Sequence, residues 1–178
     1  QEAQPVRSTK ALVLTAPFIC LFFATGFAST FAGYNNQLPT YALTIGESAM
    51  FGAALLSTTQ VGNIVFKILL GICIDKLGAL RTTIVQIAVV TVTFLIFLWS
   101  RNYIILFVAT FFYGSQNSLV SMNVPALFRT TFNEQEYARV LPLSQIGTGI
   151  IGGIGIPMVA VAYDVFGNFD VAFAVGAC

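Results

Sequence analysis

The sequence predicts an all-α integral membrane protein, and three observations lead to this prediction. First, 57% of the 178 residues are hydrophobic and 8% are charged, whereas an ordinary soluble domain has about 25% charged residues. Second, the apolar residues fall in runs long enough to cross a bilayer core of about 30 Å, which takes about 20 residues of helix. Third, the connections are short, so successive helices are expected to be antiparallel neighbours.

Five hydrophobic runs are long enough for a complete span, and a sixth begins near Phe169. The five predicted spans are Ala11–Tyr34 (which can extend to Leu43), Ala49–Ile74, Thr82–Ser100, Tyr103–Leu127 and Val140–Tyr163. We interpret the polar residues 1–10 as a linker that enters the first span and residues 11–178 as one helical bundle. Because the sequence stops inside an apolar run, at Cys178, we expect it to belong to a longer protein.

The lysines and arginines predict the orientation of the bundle. Lys67 lies within a span and Arg101 in a loop on one side, whereas six basic residues fall on the other side: Arg7, Lys10, Lys76, Arg81, Arg129 and Arg139. Short cytoplasmic loops carry such an excess of positive charge. We therefore expect a multi-pass protein of the plasma (inner) membrane with a cytoplasmic N-terminus, and with Glu47 and Asp164–Asp170 outside.

The first hydrophobic run is longer than a single span needs. From Leu12 to Leu43 it stays mostly apolar, but Gly33–Asn36 and Pro39 interrupt it. A continuous helix of this length would measure roughly 48 Å. Either the helix protrudes and ends in a turn, or it is broken near Gly33–Asn36, which a membrane tolerates against protein or a watery cavity.

The composition argues against several kinds of catalytic or cofactor site. The chain has no His, which removes Ser-His-Asp arrangements and most zinc sites. Gly147–Gly152 satisfies GxGxxG, but the dinucleotide fingerprint needs a preceding strand and a βαβ unit. The net charge of +1 does not point to nucleic acid. We therefore predict that the chain is not an enzyme and has no cofactor, metal or nucleic-acid partner.

The end of the second predicted span carries the most specific local pattern. Its residues are a glycine, a carboxylate four positions later, a turn glycine and flanking basic residues, namely Gly71, Asp75, Lys76, Gly78 and Arg81. A glycine lets two helices approach closely, and a carboxylate at the boundary can accept from a helix N-terminus or pair with arginine. The simpler alternative is an ordinary basic turn between two spans.

This run resembles the signature loop of the major facilitator superfamily, although Ala79 and Leu80 stand where the family usually has basic residues. The resemblance implies a half-bundle of a transporter, with residues 1–10 as the end of the central cytoplasmic linker and residues 11–178 as helices seven to eleven and the start of twelve. The first half remains an alternative. It also implies that Asp75 and Arg139 belong to a cytoplasmic latch together with Gly71, Lys76, Gly78 and Arg81. The partner would be the N-terminal half of the same transporter.

Lys67 is the charged residue that we single out within a span. It follows Gln60 and Asn63 by seven and four positions, so the three side chains can share one helix face. A charge inside a membrane is costly and indicates function by default, although a lysine stem can also snorkel to the interface. Monocarboxylate porters and oxalate:formate antiporters resemble the chain here, with an arginine at this spacing that faces a substrate carboxylate.

Other polar residues recur in the predicted spans. Asn35 and Asn117 are predicted to line the same substrate cavity as the Lys67 face, and Asn117 belongs to a stripe that also holds Tyr113, Gln116 and Ser121. Such stripes can instead be hydrogen bonds between helices, worth about 1 kcal/mol. In the fifth span, Gly149 and Gly153 form a GxxxG pair, which predicts close helix packing.

These observations predict a secondary transporter that moves a small organic anion, monocarboxylate- or oxalate/formate-like, by alternating access. Every Asp and Glu falls in a predicted loop or at a boundary, so a buried carboxylate for proton coupling would belong to the other half or be absent. The alternatives are a major facilitator carrier of a sugar, amino acid or drug, and a structural or signalling membrane subunit that transports nothing.

Overall fold

The computed structural model describes residues 8–100 and 102–166, and every regular element within these ranges is helical. Four stretches there are long and apolar enough to cross a membrane: Ala16–Thr44, Ala49–Leu77, Ala79–Trp99 and Tyr103–Thr131. They correspond to the first four predicted spans, so the prediction of an all-α membrane protein is confirmed. Arg7, Arg101 and the predicted sixth span lie outside the described residues.

The first span is two helices joined end to end. After a short helix α1 (Thr9–Val13), α2 (Ala16–Thr30) is followed by α3 (Ala32–Thr44), and Phe31 is the junction. Pro17 stands in the first turn of α2, where its missing N–H costs nothing. The first predicted span therefore begins five residues later than expected, at Ala16 rather than Ala11. The break predicted near Gly33–Asn36 occurs at Phe31, and those residues are helical.

The second and third spans form a tight helical hairpin. In α4 (Ala49–Leu77) the Ser48 side chain accepts a hydrogen bond from the Phe51 N–H at 3.1 Å and so caps the first turn. Gly78 ends α4 and begins α5 (Ala79–Trp99) with φ of 86°. This left-handed conformation strongly favours glycine, which explains the second glycine of the signature run.

The fourth span is a single crossing with an irregular centre. It comprises α6 (Tyr103–Tyr113), the one-turn α7 (Gln116–Ser118), a π-helical segment (Leu119–Asn123) and α8 (Val124–Thr131). Pro125, two residues after this segment ends, has no N–H to donate to the preceding turn. Since π-helical turns occur frequently at functional sites, the segment Leu119–Asn123, hereafter the π segment, is a structural landmark of the bundle.

The last described helix is α9 (Glu134–Phe166), 33 residues long. It contains the predicted fifth span, Val140–Tyr163, together with Pro142 and Pro157, and it packs mainly along α2. The helix begins six residues before the predicted span. The predicted connector between the fourth and fifth spans is consequently shorter than expected.

Two glycines of α9 lie against α2, but they are not the predicted pair. A Cβ added to Gly147 or Gly152 would overlap side chains of α2. No described atom lies within 4 Å of a Cβ added to Gly149 or Gly153. Within the described residues, the GxxxG pair therefore makes no close contact, because the face of α9 that meets α2 carries the other two glycines.

Two apolar cores occupy the two ends of the bundle. One core is formed by side chains of α3 to α6, including Tyr34, Leu38, Tyr41, Leu55, Phe94, Phe97, Leu106 and Tyr113. The other joins α1, α2, α8 and α9 through Leu12, Phe18, Val124, Phe128, Phe132 and Val140. Lys76, Arg81, Arg129 and Arg139 lie at the second end, which we call the basic end. Most buried amides of the bundle lie between the two cores.

Candidate functional site

The Lys67 face is one continuous edge of α4. Because α4 is helical from Ala49 to Leu77, Gln60, Asn63 and Lys67 are stacked one turn apart, as predicted. Gln60 and Lys67 are exposed and Asn63 is half-buried. Within the described ranges, the ammonium group of Lys67 has no hydrogen bond or ion pair, so its charge is available to a group that α4 does not supply.

The same edge lies beside the point where the second and fourth spans touch. A Cβ on Gly62 would overlap the Phe111 carbonyl oxygen, and one on Gly114 would lie 2.6 Å from the Asn63 main-chain nitrogen. The two helices are therefore in contact at main-chain level. Ser118 completes this contact by donating its hydroxyl to Asn63 Oδ1 at 3.4 Å.

Two further predicted site residues meet across the first and fourth spans. Asn35 Nδ2 donates to Asn117 Oδ1 at 3.3 Å, and Asn35 is 7% exposed. The other oxygen of this pair, Asn35 Oδ1, is buried and has no hydrogen-bond partner in the described part of the chain. A buried, unmatched acceptor is costly, which is more typical of a functional group than of a structural one.

The fourth span thus links three of the five residues predicted to bind substrate. Asn117 reaches Asn35, and its neighbour Ser118 reaches Asn63. Gln60 and Lys67 share the α4 edge with Asn63 but, among the described residues, form no side-chain hydrogen bond with the three asparagines. The structure therefore brings the asparagines of three spans together and leaves the cation beside them on an open edge.

Gln86 is a buried polar residue of this region that the sequence analysis did not select. It lies in α5, is 2% exposed, and donates from Nε2 to the Ser115 carbonyl oxygen. Its Oε1 accepts from Asn123 Nδ2 at 2.6 Å, and the same Nδ2 also donates to Thr83 Oγ1 at 3.2 Å. The sequence does contain a signal for Gln86, because it is a glutamine inside an otherwise apolar span and polar groups within a membrane are rarely without a role.

The irregular centre of the fourth span is also joined to the break in the first span. Gln116 Nε2 donates to the Ala28 carbonyl oxygen at 2.8 Å, and the Tyr113 hydroxyl donates to the Phe31 carbonyl oxygen. Carbonyl groups at a helix junction lose regular partners, and a membrane offers no water to replace them. Side chains of one irregular helix therefore satisfy the main chain of the other.

The predicted latch residues lie at the basic end, where a cleft of about 380 Å³ opens between α4, α8 and α9. Asp75 and Gly78 line it together with Arg129 and Tyr137. Asp75, Lys76, Arg81 and Arg139 are all exposed. Among the described residues, Asp75 has no basic nitrogen within 4.0 Å, and Arg139 does not line this cleft. The acid and base that share the cleft are therefore Asp75 and Arg129.

Gly71, the first glycine of the signature run, lies against a side chain rather than against a main chain. A Cβ added there would be 3.6 Å from the methyl group of Met122 in the π segment, which is ordinary van der Waals contact. Gly62, nine residues earlier, makes the main-chain contact instead. Close helix approach is thus a property of Gly62 and Gly114 rather than of Gly71.

Comparisons with known protein families and with curated proteins find no match for this chain. Function is therefore inferred from the side chains. Within the described spans, they present the exposed cation of Lys67 away from the basic end, an amide-lined contact between three spans, and two irregular helices bonded to each other. Together these features can bind a small polar solute that carries a negative charge.

Proposed function

We propose that the chain is a helical bundle of a major facilitator-type secondary transporter, and that it moves a small organic monoanion by alternating access. The observation that carries the proposal is the exposed, unpaired Lys67 ammonium group in the membrane-spanning part of α4, beside Asn63. The resemblance of the run from Gly71 to Arg81 to the family's signature loop supports the type of transporter. The second half would face the Lys67 edge across the substrate.

The position of Lys67 supports a ligand more than a headgroup contact. It lies seven residues from Ile74, where the predicted span ends, which is roughly 10 Å along the helix. A lysine stem covers part of that distance when it snorkels. The polar neighbours on its own face, Gln60 and Asn63, favour a hydrated cavity, because lipid would leave their amide groups without partners.

The charge on this face indicates the class of substrate. One ammonium group matches one negative charge, and a lysine lacks the forked geometry with which arginine holds a carboxylate by two hydrogen bonds. Amide side chains such as Asn63 and Gln60 can both donate and accept. A monocarboxylate with an additional polar group therefore fits the face better than a dicarboxylate.

Irregular helices support alternating access as the mechanism. In transporters, substrate sites near the bilayer midplane are typically built from broken helices, and one bundle rocks against the other around them. Here the junction at Phe31 and the π segment both lie at the level of the amide contacts. Release of substrate would follow from movement of these segments relative to the second half.

Two alternatives make different predictions. A major facilitator carrier of a neutral sugar or drug would use the amide groups and would tolerate loss of the Lys67 charge. A structural or signalling subunit would transport nothing, and a change at Lys67 would alter stability alone. Both are distinguished from the anion carrier by the same experiment.

The test is counterflow of labelled formate, oxalate, lactate and pyruvate by the full-length protein in proteoliposomes. We compare wild type with Lys67→Gln and Lys67→Arg, and use Lys10→Gln, which removes a charge at the basic end, as the matched control. Loss of a charged hydrogen bond is expected to lower uptake by roughly 10- to 100-fold in Lys67→Gln. Lys67→Arg should retain part of it, and Lys10→Gln all of it.

Equal uptake by wild type and a correctly folded Lys67→Gln would exclude Lys67 from the substrate path. Uptake of neutral solutes with no uptake of carboxylates would favour the sugar or drug carrier. Absence of uptake for every solute class would favour the subunit that transports nothing.

A further inference from the structure

We propose that Gln86 is a positioning residue for the substrate-binding face, acting through the π segment of the fourth span. The proposal rests on the proposed function, because the face that it positions is the one assigned to substrate. Gln86 belongs to α5 and shares no contact with Lys67 or the three asparagines. Its two hydrogen bonds go instead to Ser115 and Asn123.

These two partners are the two ends of the irregular stretch. Ser115 precedes α7, and Asn123 is the last residue of the π segment. One amide group therefore bonds two residues that are eight positions apart in the chain. The bridge uses both functions of the amide, since Nε2 donates to the Ser115 carbonyl oxygen and Oε1 accepts from Asn123 Nδ2. A side chain that only accepts or only donates cannot make both bonds.

The residues between the two bridged ends are those that face the proposed site. Asn117 bonds Asn35, and Ser118 bonds Asn63. Ser121 is exposed, and its hydroxyl donates to the Asn117 carbonyl oxygen at 3.0 Å. Since Ser118 meets Asn63 and Met122 meets Gly71, Ser121 lies at about the level of Lys67 along the two parallel helices.

A π-helical turn holds one residue more than an α-helical turn. Its conversion to an α-helix would therefore rotate the residues on one side of it by about 100° relative to those on the other. The side chains of Asn117 and Ser121 would then no longer point in their present directions relative to each other. Ser115 Oγ and Asn123 Oδ1 are buried without hydrogen-bond partners in the described residues. Asn123 also donates to Thr83 in α5, but among the described residues Gln86 is the side chain of α5 that bonds both ends of the stretch and so fixes their relative orientation.

The first test separates substrate affinity from maximal rate. In the full-length protein, Gln86→Met keeps the length and volume of the side chain but removes both hydrogen bonds. We expect it to raise the half-saturating concentration of the transported carboxylate roughly tenfold, as loss of buried hydrogen bonds implies, with little change in maximal rate. Thr93→Val, on the same helix, is the matched control because the Thr93 hydroxyl bonds within its own helix.

The second test does not depend on the substrate. In a background without Cys20, Cys73 and Cys178, positions 120, 121 and 122 are replaced by cysteine one at a time and labelled with a membrane-impermeant thiol reagent. We expect position 121 to react fastest with Gln86 present, and the fastest position to shift by one residue in Gln86→Met. Thr93→Val should leave the pattern unchanged.

An unchanged half-saturating concentration together with an unchanged labelling pattern would overturn the proposal and leave Gln86 as a packing residue. If wild type moves no carboxylate, the proposed function fails, whereas a labelling shift in Gln86→Met would still establish that Gln86 sets the orientation of the π segment. An unchanged pattern in that case would overturn the positioning role as well.

Discussion

The Tyr113 hydroxyl donates to the main-chain carbonyl of Phe31, so the last residue of α6 bonds the residue at which the first span changes helix. Tyr113 is fully buried. One turn further along the fourth span, Gln116 bonds the Ala28 carbonyl in the same way. The two irregular spans are consequently joined by side-chain hydrogen bonds from the fourth span to carbonyl groups of the first, of which the Phe31 carbonyl also accepts from the Tyr34 N–H at 3.2 Å.

We expect Tyr113→Phe to lower the stability of the protein by about 1 kcal/mol, because the Phe31 carbonyl loses one of its two hydrogen bonds and keeps that from the Tyr34 N–H. Thermal unfolding in detergent measures the change. Tyr103→Phe is the control, since the Tyr103 hydroxyl bonds the Glu47 carboxylate at 2.7 Å in an exposed position. Equal losses of stability in the two variants would show that the buried hydrogen bond contributes no more than the exposed one.

The main-chain contact between α4 and the fourth span makes a prediction for two glycines. Gly62→Ala and Gly114→Ala should each destabilise by about 1–3 kcal/mol, because the added methyl group would have to push two backbones apart. Gly149→Ala and Gly153→Ala should be neutral or slightly stabilising, since both positions are open in the described structure and alanine favours helix. A tolerated Gly62→Ala would contradict the close approach.

Asn35 offers a test that separates stability from function. In the described part of the chain, its Oδ1 has no hydrogen-bond partner, and the bond from its Nδ2 to Asn117 is long at 3.3 Å. Asn35→Leu should therefore leave the melting temperature unchanged or raise it, because an unmatched buried acceptor is removed, while carboxylate counterflow falls.

The matched control is Asn123→Leu, which removes an amide that donates two hydrogen bonds. It should lower stability by about 1–3 kcal/mol. An Asn35→Leu protein that melts earlier yet transports normally would assign Asn35 to structure alone.

The cleft at the basic end predicts which arginine acts with Asp75. Asp75→Asn and Arg129→Gln should each slow counterflow. The double variant should be impaired less than the two single effects combined, because each single variant leaves one charge of the cleft uncompensated and the double variant leaves neither. Arg139→Gln should have the smaller effect, since Arg139 does not line the cleft. The reverse order, with Arg139→Gln the more damaging, would favour the latch that the sequence analysis expected.

The parts of the fold that depend on hydrophobic length were predictable. A membrane allows few structures for an apolar run of about 20 residues, so the first four spans follow from the sequence to within a few residues at most ends. The turn at Gly78 was also predictable, because a left-handed residue favours glycine. The shared edge of Gln60, Asn63 and Lys67 follows from helix geometry alone.

Features that depend on contacts between spans were not predictable from one sequence. The first span breaks at Phe31, two residues before Gly33, and the carbonyl groups at the break accept hydrogen bonds from Tyr113 and Gln116 of the fourth span. The π segment and the role of Gln86 likewise require knowledge of which helices are neighbours. The GxxxG spacing in the sequence points to Gly149 and Gly153. Only the contacts with α2 show that Gly147 and Gly152 are the glycines that lie against it.

The contact between Gly62 and Gly114 also acts as a fulcrum. Because the two backbones touch there, a change in the crossing angle of the two helices leaves that point in place and displaces their ends. Gly71 lies nine residues away, about 13.5 Å along the helix, so a tilt of about 5° would move it by roughly 1 Å. The Met122 methyl group lies opposite Gly71, and an unbranched methionine can follow such a movement without losing contact.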